Sequence, residues 1–321
     1  MMESLGDLLK QLADRPMLKS REEKISKLLS DPLIENWRKA YPLASQEDIR
    51  LNLNKFYQYA LEHRNCSQCP GLERCPNDYP GHYTMVSAEQ LEGSSHIYER
   101  KVSCDKYNAS LKQEAIRNRI RSFYVDQRSL QQGYSADEIV RMDWERAEAV
   151  DRVLDYILLT KENGLQTKGL YLAGSFGTGK TFLMGYMLYE LAKSGLSGAI
   201  VYMPDFAEDL KGMFQEPQKL KETIDLLKET DLLVFDDIGA ENLNPWLRDH
   251  VLGTILNYRM NRKPTFFTSN YELDDLEKHF SFTNRDGEEE FKGKRIMDRI
   301  RHFVEEVYVA GFNKRERREA T

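Results

Sequence analysis

Eight residues, Gly174-Ser175-Phe176-Gly177-Thr178-Gly179-Lys180-Thr181, constrain this chain more than any other stretch. They match G-x-x-x-x-G-K-[ST], and they sit where that pattern has mechanical meaning. An apolar run, Gly169–Ala173, precedes them, and a helix-patterned run, Thr181–Lys193, follows. Glycines let the backbone turn sharply and bring its N–H groups against phosphate oxygens. A helix starting near Lys180 aims unsatisfied N–H groups, and the positive end of its dipole, at the same anion. Lys180 adds a cation for the β- and γ-phosphates, and the Thr181 hydroxyl is placed to ligand Mg²⁺. Strand, glycine-rich turn and helix in this order imply an α/β sheet that holds ATP.

The rest of the C-terminal half agrees. Apolar, β-rich runs recur at roughly the 30-residue spacing of βαβ units. They are Gly169–Ala173, Ala199–Met203, Leu232–Asp236, Thr265–Asn270 and Glu306–Ala310. Between them lie helix-patterned segments, Thr181–Lys193, Asp205–Met213, Lys219–Glu229 and Pro245–Arg262. This alternation predicts a parallel sheet of five strands with helices on both faces. Leu232–Asp236 ends on Asp236-Asp237. Two carboxylates there face a ligand bound at the carboxyl ends of the strands. Asp236 would help hold Mg²⁺, and Asp237 stands where such ATPases often carry the glutamate that activates water. Read blandly, the pair caps a helix or turn. Asn270, at the end of the next strand, is the candidate for sensing the γ-phosphate or the lytic water. Arg295 and Arg299 are four apart and share a helical face. Spacing leaves open a finger reaching a neighbouring subunit's nucleotide or a surface ion-pair helix with Asp298.

The N-terminal zone differs. Glu22–Ser30 and Glu47–His63 place apolar residues at helical spacing. A hairpin is expected from Tyr83–Val86 and His96–Val102 around Glu92-Gly93-Ser94-Ser95, then a charged helix, Ser110–Tyr124. All four cysteines, Cys66, Cys69, Cys75 and Cys104, fall in this zone. Together with His82 they offer one ligand more than a tetrahedral Zn²⁺ site needs. Cys66 and Cys69 form the knuckle; Cys104 and His82 would complete the set, with Cys75 as a substitute for either. Reduced, partly buried thiols are the plainer alternative. We therefore expect a zinc-binding, mainly helical N-terminal domain over 1–132, a linker over 133–141 and an ATPase domain over 142–321. The net charge of −6 excludes a globally basic nucleic-acid coat. No stretch approaches the roughly 20 apolar residues of a membrane span. The N-terminus carries no apolar signal core, so the expected address is the cytoplasm.

These residues resemble the DnaI type of bacterial replicative helicase loader, in the DnaC/DnaI branch of AAA+ ATPases. Gly174–Thr181, Asp236-Asp237-Ile238-Gly239-Ala240, Trp246-Leu247-Arg248-Asp249, Phe266-Phe267-Thr268-Ser269-Asn270 and Arg295-Ile296-Met297-Asp298-Arg299 carry the C-terminal half. Asn65-Cys66-Ser67-Gln68-Cys69, Cys75, His82 and Cys104 carry the N-terminal half. The resemblance implies an N-terminal zinc domain that binds the hexameric, DnaB-like helicase. It implies an ATPase that self-associates, contacts single-stranded DNA and works in the primosome. It also implies Arg299 as the arginine finger and a second sensor arginine near the C-terminus, matched loosely by Arg315, with Arg317 and Arg318 as alternatives. DNA contacts would come from the Lys211, Lys219, Lys221 region and the basic tail. Two rivals stand beside this: an IstB-type transposition helper, and a zinc-dependent adaptor whose nucleotide is only a structural switch.

Overall fold

The computed structural model describes residues 16–91, 94–123, 144–283 and 287–313. The expected linker, 133–141, and Arg315, Arg317 and Arg318 lie outside the described residues. The chain divides into two units, 1–113 and 114–321.

Among the described residues, the first unit sets four helices and a hairpin around one core. The helices are α1 (Pro16–Leu29), α2 (Pro32–Ala40), α3 (Gln46–Leu51) and α4 (Leu53–Ser67). Their starts are written locally. Asp31 caps α2 just ahead of Pro32, and Ser45 and Asp48 form a capping box on α3. The hairpin pairs β1 (His82–Leu91) with β2 (Ser94–Ser103), antiparallel. Trp37 joins the layers: its ring meets Phe56 edge-on at 4.7 Å and its indole N–H donates to Val86 O at 2.8 Å. Buried Glu62 of α4 ties the same hairpin by accepting from the Thr84 N–H and the Lys101 ammonium. Helix α5 (Asp105–Asn118) follows.

The second unit is a parallel sheet of six strands in the order β10-β4-β7-β6-β5-β3. These strands are β3 (Ile120–Phe123), β4 (Gly169–Ala173), β5 (Gly198–Tyr202), β6 (Leu232–Asp236), β7 (Thr265–Ser269) and β10 (Val304–Tyr308). The five strands expected from sequence are all present. The count of five is corrected by β3, which pairs with β5 along the edge. Its residues lie inside the stretch expected to be helix, Ser110–Tyr124, and inside the N-terminal domain as drawn from sequence. Its partner nonetheless belongs to the C-terminal sheet. Alternate residues of each inner strand serve opposite faces. Tyr171, Val201, Phe235 and Phe267 enter one core with α8 (Met203–Gly212), α10 (Gly253–Arg259), α11 (Leu273–Ser281) and α12 (Glu290–Arg301). Leu170, Leu172, Val234 and Phe266 enter the other with α6 (Ala147–Asn163) and α7 (Lys180–Lys193). Helix α9 (Pro217–Glu229) and a short hairpin, β8 (Phe282–Thr283) with β9 (Gly287–Glu288), complete the unit.

Candidate functional site

The glycine-rich loop joins the end of β4 to the start of α7, at the carboxyl edge of the sheet. Gly177 and Gly179 hold φ of 76° and 95°, a left-handed region that side chains avoid. Gly179 also caps α7, leaving the N–H groups of its first turn directed into the loop. Phe176 is exposed, and the Thr178 hydroxyl closes the loop on Ser175 O at 3.0 Å.

Strand order explains what faces this loop. Strand β7 lies between β4 and β6, so the carboxyl ends of β7 and β6 bring Asn270, Asp236 and Asp237 beside Lys180 and Thr181. The side chains form one hydrogen-bonded circuit. The Lys180 ammonium donates to Gly174 O at 2.7 Å, Ser175 O at 2.9 Å and Asn270 Oδ1 at 2.9 Å. The Asn270 amide donates to Asp237 Oδ1 at 2.8 Å. The Asp237 N–H donates to the Thr268 hydroxyl at 2.9 Å, which donates to Asp236 Oδ1 at 2.6 Å. The Thr181 hydroxyl donates to Asp236 at 2.9 Å, closing on the helix where the lysine sits. Asp236 is 3% exposed, and burial, with Asp237 beside it, holds its carboxyl above the usual range despite two hydroxyl donors. Asp237 has a positive φ of 56°, tolerable for Asp, which turns its carboxylate toward Asn270.

Sequence shows Thr268 only as part of the strand-end run Thr268-Ser269-Asn270, in which spacing points to Asn270. The Thr268 hydroxyl is the link between the two aspartates. Ser269 likewise anchors the turn after β6 by donating to Ile238 O at 2.6 Å. A hydroxyl pair at the end of the strand beside the acidic one was the available signal.

Arg299 is outside this circuit. It donates to Arg295 O at 2.9 Å and lines a separate cavity of about 640 Å³ with Lys292, Arg295, Arg262 and Asp249. Lys211 and Lys219, expected to meet DNA, pair with Glu208 and Glu216 one helical turn away.

In the first unit the four cysteines are free and partly buried. Each sulfur is served by an N–H donor. The Asn77 amide reaches Cys66 at 3.6 Å, the Gly81 N–H reaches Cys75 at 3.4 Å and the Tyr107 N–H reaches Cys104 at 3.4 Å. The Gly71 N–H and Lys106 hold the Cys69 thiol below its ordinary range. Burial pushes the Cys66 thiol up, and the three other cysteines add to it. His82 turns Nδ1 to Pro80 O at 3.1 Å and packs its ring on Tyr107. Among the described residues, no group of three or more His, Cys, Asp or Glu stands at metal-holding geometry.

Comparison with known proteins adds to this geometry. The family model described as the primosomal protein DnaI N-terminus matches residues 2–92, and the AFG1-like ATPase model matches residues 101–308. The replicative helicase loader DnaI of Bacillus subtilis (strain 168) is 34% identical over 317 residues, spanning 98% of this chain and 99% of that one. A crystal structure of DnaI is 34% identical, covers 62% of this chain and 98% of its own, and superposes with a TM-score of 0.51. A solved chain from Streptococcus pyogenes serotype M3 is 35% identical, with 63% and 99% covered and a TM-score of 0.51.

Proposed function

This chain belongs to the DnaI family of replicative helicase loaders, and from that premise we propose that it binds a hexameric, DnaB-like helicase and delivers it onto single-stranded DNA under control of ATP. One observation carries the nucleotide half of this reading: the circuit from Lys180 through Asn270, Asp237, Thr268 and Asp236 back to Thr181. Such a circuit couples the group that grips the β- and γ-phosphates to the groups that would act on water.

In the proposed mechanism the loop N–H groups and Lys180 bind the triphosphate. Thr181 and Asp236 would hold Mg²⁺, which when bound neutralises phosphate charge. Asp237 accepts a proton from the attacking water, and Asn270 holds that water in line and registers the γ-phosphate. Support for Asp237 as base is its φ of 56° and its bond to Asn270, which together aim the carboxylate at the loop side. Arg299 acts on a neighbouring copy's nucleotide. The support is its half-buried place on α12 beside a basic cavity that holds no residue of its own P-loop. Self-association of the ATPase unit follows from that role, with Arg315 as the second sensor. Loss of the γ-phosphate contacts weakens the assembly and releases the helicase.

For the cysteines we infer a structural Zn²⁺ held by Cys66, Cys69, Cys75 and Cys104. The support is the clustering of all four cysteines, an N–H donor at each sulfur and the Cys69 thiol held low, and it requires the thiols to draw together around a metal that would offset the burial of Cys66. His82 is the weaker fourth ligand, being engaged with Pro80 and Tyr107. The match of residues 2–92 to the DnaI N-terminus favours a loader over a transposition helper. No described helix is long and apolar enough to cross a membrane, and a cytoplasmic address goes with a replicative partner.

Co-purification with the host's replicative helicase tests the reading. Retention is expected to depend on residues 1–113 and to change when ATP is added. Helicase that passes through unretained, with and without ATP, would overturn it.

A further inference from the structure

We propose that Arg146 is a second cationic ligand of the nucleotide, holding the α-phosphate from the flank of the loop opposite Asp236 and Asn270. This rests on the nucleotide-binding reading above and deepens it. Arg146 closes a short 3-10 turn, Trp144–Arg146, and leads directly into α6. It is 2% exposed, unusual for a guanidinium. A Cβ built on Gly179 would lie 2.7 Å from Arg146 Nη1, so the guanidinium rests against the loop backbone in space a side chain would fill. It also stands over the Phe182 ring, with Cζ 5.9 Å from the centroid, which places the guanidinium beside the first turn of α7.

Sheet order gives this contact its direction. Asp236 and Asn270 end β6 and β7, on one side of β4. Helix α6 packs beside α7 and β10, on the other side. The γ-phosphate belongs with Asn270 and Asp237, because Lys180 is bonded to Asn270 there. A phosphate chain running away from that point along the first turn of α7 passes Gly179 and Phe182, the segment whose N–H groups cradle the inner phosphates. It then meets Arg146. Lys180 thus reads the outer phosphates and Arg146 the inner one. A fork of N–H donors suits a phosphate better than a single ammonium does, and Arg keeps its charge when buried.

Position along the phosphate chain makes the inference testable. An α-phosphate contact is shared by ADP and ATP, whereas a γ-phosphate contact is not. Binding of Mg-ATP and Mg-ADP to the full chain is measured by calorimetric titration for the parent, R146M and R146K. We expect R146M to weaken both nucleotides by about tenfold or more and by the same factor. R146K is expected to recover part of the loss for both. Without nucleotide, the R146M melting temperature should match the parent's, which separates a ligand contact from a loop support. Unchanged affinities, or a loss confined to ATP, would overturn the proposal. So would a melting temperature that falls in step with affinity. If R146M does not fold, R146K decides: parental affinity for both nucleotides overturns the proposal. A parent chain that binds neither nucleotide defeats the nucleotide reading itself, an outcome distinct from all of these.

Discussion

At the scale of single residues, the site stores a conflict that stability measurements can read. Asp236 is 3% exposed, and burial holds its carboxyl above the usual range although Thr181 and Thr268 both donate to it. An acid whose pKa rises on folding stabilises the fold below its unfolded pKa of about 3.9, and that contribution is lost as pH rises through the folded value. The ionised form is therefore a cost at neutral pH that Mg²⁺ would offset. Asp236→Asn keeps an oxygen to accept from the two hydroxyls and removes the charge. In Mg²⁺-free buffer the variant should melt above the parent at neutral pH. The gap should close as pH falls toward the usual carboxylate range. The same variant should lose the upward shift that Mg-ATP gives the parent. Thermal melts across pH, with and without Mg-ATP, check both halves. A variant less stable than the parent at neutral pH would show that the hydroxyl bonds outweigh the buried charge.

At the scale of elements, the helix carrying Arg299 depends on a neighbour that sequence pattern described only roughly. The segment expected as one helix, Pro245–Arg262, is interrupted early by a π-helical turn, Leu247–Leu252, and continues as an α-helix over Gly253–Arg259. Arg248, fully buried in that turn, donates to Asp249 at 2.9 Å, to Phe280 O at 3.1 Å and to Glu289 at 2.6 Å. Glu289 immediately precedes α12, so one guanidinium fixes where that helix starts. Arg248→Met should leave Asp249 and Glu289 without their shared cation and cost about 3 kcal/mol in urea unfolding, the low end for a buried pair because both acids are partly exposed. A loss below about 1 kcal/mol, the level of an ordinary surface pair, would show that α12 is held by apolar packing alone. The inner strands were legible because strands buried on both faces read as unbroken apolar runs. Strand β3 was not, because it pairs on one edge only and Arg121 is exposed, so its four residues carry a helix-like charge pattern. Lys180 and Thr181 are legible from the loop motif, and Asp236 and Asn270 from the ends of two later apolar strands. Thr268 was legible as a strand-end hydroxyl but not as the link between the aspartates, and Arg146 carried no signal, since both roles come from which strands and helices adjoin rather than from spacing along the chain.

At the scale of the whole molecule, two hydrophobic cores face opposite sides of the sheet and a third belongs to the N-terminal unit. The ligands proposed for the two units are different as well. A ligand raises the stability only of the unit that binds it, by about 2.7 kcal/mol at a hundredfold excess over Kd. A chain of this kind should leave two-state behaviour and melt in two transitions. Mg-ATP should raise the transition of residues 114–321 and leave that of residues 1–113 unmoved. If the proposed zinc is present, a chelator should do the reverse, because the N-terminal unit has a small core and would gain folding free energy from the metal. Cys66→Ser should mimic the chelator and leave the Mg-ATP shift intact. Calorimetric scans of the full chain, with metal content measured on the same sample, separate the outcomes. Parent protein that contains no zinc, with a first transition indifferent to chelator, would remove the metal from the cysteines and leave four reduced, partly buried thiols. A single transition that both ligands move would instead mean that the units fold as one.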